Sequence, residues 1–238
     1  MTFFFTSIFV ILVFWRPQEW LVPWLYGIPM LDAVVISALM SLMIEVRENR
    51  LRFPRELPQP RLLAGLLVAA LMSHAVYLYF DGMLWTFDWM FKLCAFTILL
   101  FCVLDRPSRL RTMSAIFVCM SCVMAVHAIL QQVRGYGFAG QPPLWIPPFS
   151  SRGEQLRSLF FGIFEDPNDL AQVLATSIPF AFVMHRKRTL LTFLLACGIT
   201  TLLVYAILAT HSRGGLLALA TVGAIMVSLA LPSPSISS

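Results

Sequence analysis

The sequence predicts an all-α fold: a polytopic bundle of about eight transmembrane helices. Three observations predict it. Of 238 residues, 59% are apolar and 12% are charged, where a soluble domain carries roughly 25% charge. The mean hydropathy is +0.81. The apolar residues fall in long runs, and the breaks between them hold Pro, Gly and Arg. A soluble globule, a disordered tail and a disulfide scaffold are excluded. One membrane domain is expected over residues 1–238.

The runs, taken in order, cover about 2–15, 28–46, 62–80, 85–104, 112–131, 167–184, 190–209 and 216–231. The first has no Lys or Arg before it and no small-residue cleavage site after it, so it reads as a short span rather than a signal peptide. Arg16-Pro17-Gln18-Glu19 ends it, and Trp20, Trp24 and Tyr26 suit an interfacial belt. Pro54, Pro58 and Pro60 stop any helix between the second and third runs. A Gly- and Pro-rich loop, 132–164, separates the fifth run from the sixth. Thr210-His211-Ser212-Arg213-Gly214-Gly215 makes a tight break before the eighth.

Charge sets the expected orientation. The formal net charge is +5, and in a chain of this class the arginines read as topology signals rather than as a nucleic-acid surface. Loops after the second, fourth and sixth runs hold eleven Lys or Arg, and the loops on the other side hold five. The richer side is expected in the cytoplasm. The five cysteines lie inside apolar runs, so Cys119 and Cys122 read as packing rather than as a redox pair.

Positive charge on the outer side is therefore the informative anomaly. Arg134, Arg152, Arg157 and Arg213 all fall there. The Arg213 loop is so short that its side chain must lie at the mouth of the bundle. Guanidinium is permanently charged and donates two parallel hydrogen bonds, the match for phosphate. An anionic lipid ligand is expected, such as a pyrophosphate-linked carrier. The bland alternative is solvated loop charge or headgroup contact.

Glu165-Asp166-Pro167-Asn168-Asp169 reads first as a helix start, with Asp166 as cap, Pro167 at the first helical position and Asp169 where a capping-box acid sits. A metal site built from Glu165, Asp166 and Asp169 is the rival, and no metal is expected. His127 and His211 are candidate bases. His74 and Lys92 read as interior contacts, and Asp32 and Asp88 as snorkelling or paired acids. No P-loop, dinucleotide fingerprint or nucleophile elbow is present in the sequence.

Three motifs in order, Arg16-Pro17-Gln18-Glu19-Trp20, Gly162-Ile163-Phe164-Glu165-Asp166-Pro167-Asn168-Asp169-Leu170-Ala171 and Ser212-Arg213-Gly214-Gly215, resemble the O-antigen ligase and O-antigen polymerase superfamily of bacterial inner membranes. The resemblance runs along the whole chain and matches the amino-terminal part of the family pattern. It implies a multi-pass enzyme that moves a glycan from an undecaprenyl-pyrophosphate carrier to a lipid, glycan or protein acceptor on the periplasmic side. It implies no cofactor. Arg213 matches the family arginine of the Ser-Arg-Gly motif; Arg152 and Arg157 are added from side and depth alone. The family's later outer loop, with its histidine, has no counterpart here. The chain is expected to bind the carrier, with turnover at this length left open. The other classes considered are a transporter or flippase of lipid-linked glycan and a non-catalytic membrane subunit.

Overall fold

The computed structural model describes residues 1–25, 27–51, 58–148, 154–183 and 189–230. Arg152, Tyr26, and the loop cations Arg52, Arg55, Arg186, Lys187 and Arg188 lie outside them. The described chain is all-α apart from one short ribbon. Its helices are α1 (Thr2–Trp15), α2 (Pro17–Trp20), α3 (Met30–Arg47), α4 (Gln59–Ala75), α5 (Phe80–Val103), α6 (Pro107–Arg134), α7 (Pro167–Val183), α8 (Leu190–Ala209) and α9 (Arg213–Ala230). Every apolar run is thus a helix. Proline marks several starts: Pro17, Pro107 and Pro167 each open a helix. Proline's missing N–H has no intrahelical partner there in any case, and its fixed φ suits the first turn.

The span count differs from expectation. Among the described residues, three helices, α5, α6 and α8, are long and apolar enough to cross a membrane, not eight. Rise explains most of the shortfall. At about 1.5 Å per residue, the 14 residues of α1 reach about 21 Å against a hydrocarbon core of about 30 Å. The 17 residues of α4 and of α7 also fall short. α3 has 18 residues but carries Asp32, Glu45 and Arg47. α8 is apolar all round, and Leu190, Leu191, Leu194 and Leu195 are exposed on it. Such a helix belongs either in a core or in lipid.

The chain forms two compact units. The first comprises Met1–Leu12 and Gly27–Leu110. In it, α3 and α4 each pack on α5, around buried Val35, Ala38, Leu42, Ala95 and Leu99. Phe9 meets Phe96 edge-on at 5.7 Å. Lys92, midway along α5, bridges Asp32 at 3.1 Å and Asp88 at 3.0 Å. His74 shares a 2.9 Å hydrogen bond with Thr86.

The second unit comprises Val13–Tyr26 and Arg111–Ser238, and α7 packs on both α8 and α9 within it. Leu170, Ala171, Leu174, Ala175, Ile178 and Ala181 form its buried stripe, at helical spacing. The small residues let the α9 backbone approach. Gly215 is required there, since a Cβ on it would run into the Cβ of Ala171. The 132–164 segment, expected as an irregular loop, holds a two-stranded antiparallel ribbon. Its strands are β1 (Leu144–Ile146) and β2 (Gln155–Arg157), with Leu144 opposite Arg157.

Candidate functional site

The site lies in the second unit, where the ribbon meets the first turns of α7 and α9. Two glutamines at the end of α6 hold the ribbon down. Gln132 Nε2 donates to the Leu156 carbonyl at 2.9 Å, the Ala209 carbonyl at 3.0 Å and Ser158 Oγ at 3.0 Å. Gln131 Oε1 accepts from the Leu159 N–H at 3.0 Å. Ser158 is fully buried. Its N–H donates to the Ala209 carbonyl at 3.1 Å, and its hydroxyl to the Ala128 carbonyl at 2.9 Å. Buried strand-end groups need partners, and these residues supply them. The result fixes the position of the next side chain, Arg157.

Arg157 is 6% exposed. Its Nε donates to the Thr210 carbonyl at 3.0 Å, and Nη2 to Asn168 Oδ1 at 3.2 Å. Ser212 Oγ donates to the same Asn168 oxygen at 2.8 Å and accepts the Gly215 N–H at 2.9 Å. Ser212 is therefore the cap of α9, bonding the third N–H of the helix. Asp166 caps α7 in the related way, accepting the Asn168 N–H at 2.6 Å. Asp169 is exposed in the first turn of α7.

These residues border an open cavity of about 490 Å³, lined by Gln155, Arg157, Asn168, His211, Ser212 and Arg213 with apolar Ile207, Leu208 and Leu216. Among the described residues, its lining carries two guanidinium groups and no carboxylate. Arg213 is exposed at the first position of α9, and its side chain has no hydrogen bond or ion pair among the described residues. A cation at a helix N-terminus opposes the macrodipole, at a cost of a few tenths of a kcal/mol to about 1 kcal/mol. The arrangement concentrates positive potential where the cavity opens, and an anion would relieve it.

The sequence-expected cations therefore divide. Arg157 and Arg213 line one cavity. Arg152 lies outside the described residues. Among the described residues, no group of three or more His, Cys, Asp or Glu could hold a metal ion, so Glu165, Asp166 and Asp169 do not form the rival metal site. Glu165 instead borders a second hollow with Gln141, Pro142, Pro143, Leu144 and Leu159. The candidate bases divide too. His211 lines the cavity. His127 is fully buried in a box of Phe138, Phe160 and Phe161, with ring centroids 5.1, 4.9 and 5.4 Å away. Its Nδ1 accepts the Phe138 N–H at 3.0 Å. A ring so enclosed cannot reach a ligand in the cavity.

Trp20 joins this box: it stacks on Phe138 at 5.1 Å and on Phe161 at 6.2 Å. Arg16 pairs with Glu19 and lies where a Gly162 side chain would be. Gly162 has φ +68°, so both backbone and space there call for glycine. The first motif thus packs on the second, and Asn168 of the second bonds Ser212 of the third. Asn168, Gln131 and Gln132 are the site residues that sequence reasoning missed. An amide beside a helix start reads as loop or cap, and nothing in its spacing announces a long-range partner.

No family model matches the chain, and no curated protein or solved structure matches it.

Proposed function

We propose that this chain is an O-antigen ligase-like membrane glycosyltransferase, or its carrier-binding portion, located in a bacterial inner membrane. It would transfer a glycan from an undecaprenyl-pyrophosphate carrier to a lipid, glycan or protein acceptor on the periplasmic side. One observation carries the reading: Arg157 and Arg213 share a cavity with no carboxylate among the described residues of its lining, next to apolar helices long enough to span lipid. The order of the three motifs supports it.

The chemistry follows from charge. Departure of a pyrophosphate leaves negative charge to be stabilised, and guanidinium groups held in a half-buried site do this without reorganising. Arg157, held by Thr210 and Asn168, is the preorganised member. Arg213, exposed at the first position of α9 on the same cavity wall, would supply the second guanidinium. His211 lines the same cavity and would take a proton from an acceptor hydroxyl.

The test is binding of farnesyl pyrophosphate to the full chain in detergent or nanodiscs. A charge-assisted hydrogen bond contributes about 1.5–3 kcal/mol, so Arg213→Ala should weaken binding roughly 10- to 100-fold. Arg213→Lys should recover part of the loss, since lysine lacks the bidentate fork. Unchanged affinity in Arg213→Ala would sink the proposal.

The Lys92–Asp32–Asp88 group favours a second reading, a transporter or flippase of lipid-linked glycan. Ionisable residues midway along a candidate span are costly and mark ion or substrate paths. That reading predicts carrier movement across vesicles without bond formation, lost in Lys92→Met.

A further inference from the structure

We propose that the side-chain amide of Asn168 is a third anion-binding group of this cavity, donating its NH₂ to a diphosphate oxygen between Arg157 and Arg213; the inference rests on the anion-binding reading of the cavity. The amide's orientation is forced. Its Oδ1 accepts from Arg157 Nη2 at 3.2 Å and from Ser212 Oγ at 2.8 Å. A carbonyl oxygen has two lone pairs, and both are engaged. Flipping the amide would set its NH₂ against the Arg157 guanidinium N–H, donor against donor, and would take the acceptor from the Ser212 hydroxyl hydrogen. The NH₂ is therefore turned away from both partners. It donates to nothing among the described residues, while Asn168 itself borders the cavity.

A polar group held this firmly, with its donor side unused, is preorganised for an acceptor. The neighbours say which kind. Arg213 and Arg157 carry only donor groups, and no carboxylate among the described residues lines the wall. Phosphate oxygens accept hydrogen bonds and donate none at full ionisation, so a diphosphate suits a wall of cationic and amide donors. The close approach of Gly215 to Ala171 sets α9 against α7 and holds Asn168 at the distance where Ser212 can lock it.

The chain has two asparagines, Asn49 and Asn168, and this makes a direct test simple. The full chain, labelled with ¹⁵N-asparagine, gives two side-chain NH₂ pairs, and Asn168→Asp assigns them by loss of one. Asn49 is exposed in the other unit and serves as the internal control. On titration with farnesyl pyrophosphate, the Asn168 NH₂ protons should move downfield and saturate at the dissociation constant measured by binding, with Asn49 unmoved. Inorganic pyrophosphate should give the same shift; if only the isoprenyl form does, the site takes a lipid headgroup rather than a free anion. Saturable binding by the wild type with an unmoved Asn168 amide would overturn this inference alone. Absent binding, or wild-type affinity in Arg213→Ala, would overturn the cavity reading and this inference with it.

Discussion

Two polar regions of the second unit differ in one respect that decides their chemistry. Around Arg157 and Arg213, polar groups bond one another at the wall of an open cavity. Around His127, a polar ring is sealed by Phe138, Phe160 and Phe161, with Trp20 stacked outside. Both lie near the ends of apolar helices, and both carry residue types suited to catalysis. His127 Nε2 has no hydrogen-bond partner among the described residues, yet nothing can enter to use it. Access, more than residue type, separates a site from a structural feature.

The largest effect that sharpens the contrast is His127→Ala. Emptying an enclosed ring-sized space should cost about 2–5 kcal/mol, read as a lower Tm in detergent, with affinity for farnesyl pyrophosphate retained in the folded fraction. Next is Gly215→Ala, which forces α9 away from Ala171. Overpacking of this kind costs about 1–3 kcal/mol, and it should also weaken binding because Ser212 and Asn168 part. Gln132→Ala should cost about 1–2 kcal/mol, since the Leu156 and Ala209 carbonyls lose a donor. Binding should weaken with it, as Arg157 loses its anchored ribbon. Asp166→Ala, the loss of one helix cap, should cost about 1 kcal/mol and lower Tm slightly. If His127→Ala abolished binding at unchanged Tm, the two regions would have to exchange roles.

Much of the fold is legible in the sequence. Hydropathy marks all eight apolar helices, and α8 coincides with its run from Leu190 to Ala209. α6 runs past its apolar stretch at both ends because Pro107 starts it early and Gln132, Val133 and Arg134 continue it. α4 stops at Ala75 rather than near residue 80, where the chain turns through Leu78 at φ +53°. Span number is less legible, because a run's apolarity does not fix its helical length. At the site, Arg157 and Arg213 announce themselves as cations between apolar runs. Asn168 and Gln132 do not, because what they do depends on partners 44 and 77 residues away. The sealing of His127 depends on a loop and the amino-terminal Trp20 folding over it, which no local pattern reports.

The most direct measurement is farnesyl pyrophosphate affinity and Tm for Arg213→Ala beside the wild type. Removing an exposed cation that opposes the α9 macrodipole should raise stability by a few tenths of a kcal/mol to about 1 kcal/mol. The account predicts roughly 10- to 100-fold weaker binding at an equal or slightly higher Tm. Wild-type affinity in that variant would contradict it.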